Sequence, residues 1–354
     1  MERLHHVDVA KGISIILVVA NHSALRATAP DFFNATSSLR LPLFFFLSGI
    51  FFSLKWSPVE FVIRKADALL KPFFVTLVAM LGLDFLIGYA SGFDFPGVVY
   101  ASGMTISLMP LWFLPHLFLV HSTAYCIITK YGSYLAQPKG AVYVLVIGFA
   151  LGAGLIGLLD WSAIQVRNHE DARVGWPFSL DVLPMTLAFF LAGYLLREKV
   201  KSLKPDYRVA ILFGLLFLFI NVVADPYLDF NGRILKQPWL ILPCAVMGIY
   251  SVLVFSSFIG RFQNVRQAFV KVGQSGLIIL VFHSFFVGDL YRWLLPDLKH
   301  KPLVHALVVV GTFLLGIAGP LLLERVIRGN TVLKALYLPL NFSARLGRVA
   351  ATAK

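Results

Sequence analysis

The stretch GAVYVLVIGFALGAGLIGLL, residues 140–159, runs for twenty positions without a charged side chain. At about 1.5 Å of rise per residue it forms a helix of roughly 30 Å, the thickness of a bilayer's hydrocarbon core. Similar runs recur along the 354 residues, near 7–27, 39–54, 72–90, 108–128, 181–196, 207–224, 238–259, 274–294 and 302–324. Hydrophobic residues make up 58% of the chain and charged ones 14%, where a soluble domain carries about 25% charged residues. Lipid is therefore the natural solvent for the exterior. The expected fold is all-α, a polytopic transmembrane bundle of about ten helices over residues 1–330, followed by a basic cytoplasmic tail over 331–354.

The formal charge of +13 would suggest nucleic acid in a soluble protein. Here the Lys and Arg fall mainly in short loops between apolar runs, which is a topology signal and excludes a nucleic-acid footprint. Lys55, Arg64, Lys65 and Lys71, the cluster Arg197 to Arg208, and Arg261, Arg266 and Lys271 lie on one side of the alternating spans. Fewer, among them Arg26, Arg40, Arg167, Arg173, Arg233, Lys236, Arg292, Lys299 and Lys301, lie on the other. That bias places both termini in the cytoplasm, in what reads as a bacterial plasma (inner) membrane. Cys126 and Cys244 both sit in apolar runs, so neither a disulfide framework nor a zinc site is indicated. No cleavable signal peptide is expected, because further apolar runs follow the first at once.

Two kinds of segment stand apart. Residues 55–71 interleave Glu60, Arg64, Lys65, Asp67 and Lys71 with apolar positions ahead of Pro72, the pattern of an amphipathic helix on the inner surface. Two outer loops, around 160–180 with Asp160, Arg167, His169, Glu170, Asp171 and Arg173, and around 225–237 with Asp225, Asp229, Asn231 and Arg233, read as solvated loops or as a meeting place for a polar ligand.

Chemistry concentrates in the first helix, where Asp8 and Lys11 precede an apolar run that ends in Asn21, His22 and Ser23. Ionisable groups inside a span are costly and face a cavity or a partner. Lys11 and His22 are eleven positions apart, roughly 20° beyond three full turns, and so share one helix face about 16 Å apart along the axis. Asp8 is within ion-pair reach of Lys11. Two readings of each stay open: Asp8 and Lys11 snorkel at the interface or serve a site, and His22 is a bonded core imidazole or a general base for a hydroxyl. His116 and His121 are about 140° apart on their helix, so they share no metal-binding face, and no metal is expected. Asp84 reads as an isolated intramembrane charge, and Asp289 and Arg292, three apart, pair with each other.

These residues resemble the acyltransferase-3 family of membrane acyltransferases, whose first helix carries a basic residue, ten intervening positions and a histidine. Here those are Lys11 and His22, with Asp8 and Gly12 flanking. Residues 42–49, PLFFFLSG, are similar to the family's second-helix motif, Leu111-Trp112-Phe113-Leu114 to its mid-chain motif, and Gly273-Gln274-Ser275 with His283 to its late one. One departure is plain: where the family often has Arg-x-x-Arg, Arg64 is followed by Asp67. The resemblance implies transfer of an acyl group, usually acetyl from acetyl-CoA as co-substrate, to a hydroxyl of a glycan or lipid-linked sugar, with no tightly bound cofactor. It implies His22, Asp8 and Lys11 as catalytic residues, and Lys11, Arg64, Lys65 and Lys71 as contacts for the acyl-CoA phosphates. Asn21, Ser23, Ser48, Trp112, Ser275 and His283 are candidate supporting residues. The branch it resembles is the small, single-domain one of sugar and polysaccharide O-acetylases. Membrane lipid, a second copy of the chain or a glycan-assembly complex are the further partners to expect. The rival readings are an exporter of a glycan intermediate or small solute, and a non-catalytic partner in polysaccharide assembly. The second half of the chain has no counterpart of Lys11 and His22, as a carrier built on repeats would.

Overall fold

The computed structural model describes residues 4–87, 95–102, 105–106, 109–161, 165–166, 169–294 and 302–340. Arg3, Arg167, Lys299, Lys301, the tail beyond 340, and the side chains of Asp84, Asp160, His169, Glu170, Asp171 and Arg173 lie outside the described residues. The principal helices are α1 (His5–His22), α2 (Ser37–Ile50), α3 (Pro58–Lys65), α4 (Lys71–Ile87), α5 (Phe113–Leu135), α6 (Gly140–Trp161) and α7 (Leu183–Leu195). They are followed by α8 (Tyr207–Ala224), α9 (Pro238–Ile259), α10 (Gln263–Gln274), α11 (Gly276–Ser284), α12 (Pro302–Gly329) and α13 (Thr331–Tyr337).

Among the described residues 8 helical stretches are long and apolar enough to cross a membrane, from Pro58–Leu83 to Pro302–Gly329. They account for all the expected spans but the first two. The helix α1 has 18 residues yet carries Asp8, Lys11 and two histidines at its start, and α2 has only 14. Both can be polar or short because their neighbours are protein: α1 packs against α2, α9, α10, α11 and α12, and α2 against α1, α7 and α9. The helix α8, by contrast, has only 11% of its apolar window buried and presents an apolar outer surface.

Three features differ from the sequence expectation. The amphipathic segment does not stop at Pro72. Because Pro72 has no N–H to donate to the Ala68 carbonyl, the chain widens into a π turn at Ala66–Leu70, and α3 runs through it into α4. Two short antiparallel hairpins, β1–β2 (Gln165–Val166 and His169–Arg173) and β3–β4 (Tyr227–Asp229 and Ile234–Lys236), stand where loops were expected. Finally, α13 packs against α4 and α12, with the Tyr337 ring 5.3 Å from that of Phe282, so residues 331–340 lie against the bundle.

The contact that sets the site is between α1 and α10. A Cβ on Gly12 would collide with the Phe269 carbonyl, and one on Gly273 would lie 2.8 Å from the Asp8 carbonyl oxygen and 3.0 Å from the Gly12 nitrogen. The two glycines let the backbones touch. From each glycine the chain climbs ten residues to a histidine, His22 or His283, and these two rings meet as well, with centroids 5.3 Å apart. The helix α1 therefore runs parallel to α10–α11.

Gly12→Ala is expected to destabilise the detergent-solubilised protein by about 1–3 kcal/mol, as overpacking does. Gly82→Ala, where a Cβ meets open space, is expected to be neutral or to gain up to about 1 kcal/mol. Melting curves of the two variants check this, and equal shifts would refute the seam.

Candidate active site

Beyond the end of α1 the bundle encloses a cavity of about 360 Å³. His22, the last residue of α1, lies deep in the protein yet keeps accessible surface, because that surface is part of the cavity wall. The wall continues with Asn21, Phe44, Trp112 and Phe113, and Arg40. Behind His22 stands His283, fully buried, its ring tilted by 56°. Its Nδ1 lies 2.9 Å from the Ile279 carbonyl oxygen and 3.1 Å from that of Leu280. A carbonyl can only accept, so Nδ1 carries the proton and Nε2 presents a lone pair. That Nε2 has no partner, and neither does the buried Asn21 Oδ1. Unsatisfied buried acceptors are costly and rare. Here two of them stand on or behind one wall.

The roof is the β3–β4 hairpin, which brings Tyr227, Asp229, Phe230 and Asn231 to the cavity. Asp229 Oδ1 accepts from the Asn231 and Gly232 N–H groups at 2.8 and 3.0 Å, which closes the turn. The Leu228 N–H donates to Ser37 Oγ at 3.2 Å and ties the hairpin to the start of α2. The hairpin is locked from behind by Arg233, whose Nε donates to Asp181 Oδ2 at 2.9 Å with both side chains 0% exposed. Arg233 Nη1 also donates to the Asn231 carbonyl at 2.6 Å, and Asp181 Oδ1 accepts from the Trp176 N–H at 2.7 Å. A dry ion pair is tolerable only when its remaining donors and acceptors are satisfied in this way. Burial, with Asp229 close by, pushes the Tyr227 phenol up, so it remains a neutral donor.

A family model for the acyltransferase domain matches residues 4–325, from the residue before α1 to near the end of α12. The chain belongs to the acyltransferase-3 family. It is a multi-pass membrane acyltransferase, which implies an acyl donor and an acceptor. No curated protein and no solved structure matches it.

At the other end of α1 the acyltransferase places Lys11 with its Nζ 3.5 Å from the centre of the Phe51 ring, where the nearby Asp8 also acts on its charge. Lys11 is thus at the end of α2 and His22 at its beginning. Arg64 is paired with Glu60 at 2.7 Å and lies over Trp56, and Lys65 Nζ stands 5.7 Å from the Phe61 ring centre. Lys71 is held by Asp67 at 2.7 Å and by the Leu338 carbonyl at 2.7 Å, while Asp67 Oδ2 accepts from the Leu340 N–H at 2.7 Å. Of the supporting candidates, Trp112 and Asn21 line the cavity. Ser23 donates to the Ala20 carbonyl at 2.7 Å and Ser48 to that of Phe44 at 2.8 Å, so both hydroxyls are spent on their own helices. Ser275 is buried at the junction of α10 and α11. His116 bonds Thr186 and the Phe178 carbonyl, and His121 the Leu117 carbonyl, which makes them packing residues. Asp289 and Arg292 pair as their spacing predicts. Arg40 and Tyr227 were not legible as site residues. Arg40 reads as a loop charge until the short α2 is seen to start before it.

Asp181→Asn leaves the Arg233 cation without its counter-charge and is expected to cost about 3–5 kcal/mol, whereas Asp181→Leu with Arg233→Met is expected to recover most of it. Melting midpoints of the single and double variants decide, and an unaffected single variant would refute the lock.

Proposed function

We propose that this acyltransferase moves an acetyl group from cytoplasmic acetyl-CoA to a hydroxyl of a surface glycan or lipid-linked sugar, with both termini in the cytoplasm of a bacterial inner membrane. The observation that carries this reading is the position of His22: on a cavity wall, beside the unpartnered Nε2 of His283, on the same helix as Lys11 but at the opposite end. In this scheme Lys11, Arg64 and Lys65 at the basic end draw the coenzyme's phosphates by charge-assisted bonds. Lys71, already held by Asp67 and Leu338, adds field more than contact. The pantetheine arm reaches between the helices toward the cavity, and the acceptor enters from the hairpin side.

His22 then takes the proton of the acceptor hydroxyl as its oxygen bonds to the thioester carbon. The C–S bond breaks, and the proton leaves with the coenzyme thiolate. Since a carbonyl-bonded His283 offers only a lone pair, it can accept from a protonated His22, and so holds the base in one orientation. Asp8 steadies Lys11.

Purified His22→Ala, folded as judged by its melting curve, is expected to lose about 10²–10⁴ of the acetyl-transfer rate. Labelled acetyl-CoA with surface glycan as acceptor gives the measurement. Undiminished transfer by the folded variant would overturn the role of His22, while Lys11→Met is expected to raise the KM for acetyl-CoA.

A further inference from the structure

The cavity wall carries more positive charge than transfer from a neutral thioester to a neutral hydroxyl requires. Arg40 is 8% exposed, and its Nη1 donates only to uncharged acceptors, the Phe33 carbonyl at 2.5 Å and Thr36 Oγ1 at 2.8 Å. Among the described residues no carboxylate comes within 4.0 Å of its guanidinium. Arg26, on the same wall, donates to the Tyr227 hydroxyl at 3.3 Å, again a neutral partner. Asp229, the acid of this wall among the described residues, already spends Oδ1 on closing the hairpin turn. Two guanidiniums therefore face one partly committed carboxylate.

An arginine this deep in a membrane bundle is expensive unless something neutralises it. The contrast within the molecule is direct, since Arg233, on the same hairpin, touches its own aspartate, while Arg40 feels Asp229 only at a distance. The rest of the wall is what a sugar ring needs. Trp112 and Phe44 offer aromatic faces, and Asn21 stands beside them.

We infer that the hairpin side of the cavity is a subsite for an anionic acceptor, a sugar whose carboxylate or phosphate group seats between Arg40 and Arg26 and so presents a neighbouring hydroxyl to His22. The subsite rests on the acyl-transfer reading of the cavity. It assigns Arg40 and Arg26 to acceptor specificity, since a fork of donors matches a planar carboxylate or a phosphate in two-point contact.

The test is binding without turnover. Detergent-purified protein is titrated with methyl glucoside, glucuronic acid and glucose 1-phosphate, followed by ligand-observed NMR and by the melting midpoint. One or both anions are expected to bind at least about tenfold more tightly than the neutral glycoside. Arg40→Gln is expected to abolish that preference and Arg40→Lys to keep part of it. Glucuronic acid alone points to an acidic sugar, and the phosphate alone to a sugar phosphate of the lipid-linked kind. Equal binding of all three, binding of neither anion, or a preference that survives Arg40→Gln overturns the subsite. Should Arg40→Gln fail to fold, Arg26→Gln carries the same comparison with the same two outcomes. His22-dependent transfer without anion preference would sink the subsite and leave the reaction standing, whereas anion binding without transfer would do the reverse.

Discussion

The glycine seam between α1 and α10 is the constraint on which the rest depends. In lipid there is little hydrophobic drive to bring two helices together, so close association rests on backbone approach and packing. Gly12 and Gly273 supply that approach. Equal arms of ten residues, about 15 Å each, then carry His22 and His283 to the same depth, where their rings meet. The seam also explains how a membrane helix carries Asp8 and Lys11 at one end and a histidine at the other. Its sides are lined with Val7, Val9, Ile15, Val18 and Val19, all buried against other helices.

Polar accounting then distinguishes the lock behind the hairpin from the cavity wall. In the lock behind the hairpin the account closes: Arg233 and Asp181 satisfy each other and take up the Trp176 N–H and the Asn231 carbonyl. Around the cavity it stays open, at His283 Nε2, at Asn21 Oδ1 and at Arg40, which no carboxylate among the described residues touches. A low dielectric makes each open group expensive, and the three come from three different helices.

How much of this the sequence discloses follows from which signals are local. Hydrophobic run length is local, and it marks the long helices, α6 and α8 most clearly. Helical phase is local too, so the shared face of Lys11 and His22 is legible from their spacing alone, and the late histidine is flagged by motif. What escapes is set by contacts between distant positions. Nothing near Arg40 announces a wall, because its company there is Tyr227 and Asp229, almost two hundred residues on. Nothing near Pro72 distinguishes a helix stop from a π turn, which is decided by whether α13 and α5 pack against the widened turn and its continuation. The hairpin's place over the cavity depends on a lock between residues 181 and 233.

Asp67 shows how one departure from the family pattern is absorbed. At a position where the family often has a second arginine, an acid would repel a polyanionic donor if its charge were free. It is not free: Lys71 sits on one carboxylate oxygen, and the Leu340 N–H donates to the other. Lys71 in turn holds the Leu338 carbonyl, so the pair has become a clamp that fastens the chain after α13 to the π turn. The exchange removes one cation from the basic end and neutralises another. Any anion drawn to that end must then rely on Lys11, which faces an aromatic ring, on Lys55 and Lys65, and on whatever Arg64 can offer beyond its bond to Glu60. Attraction at the basic end is thus weaker than the count of lysines and arginines suggests, and the positions of those few cations matter more than their number.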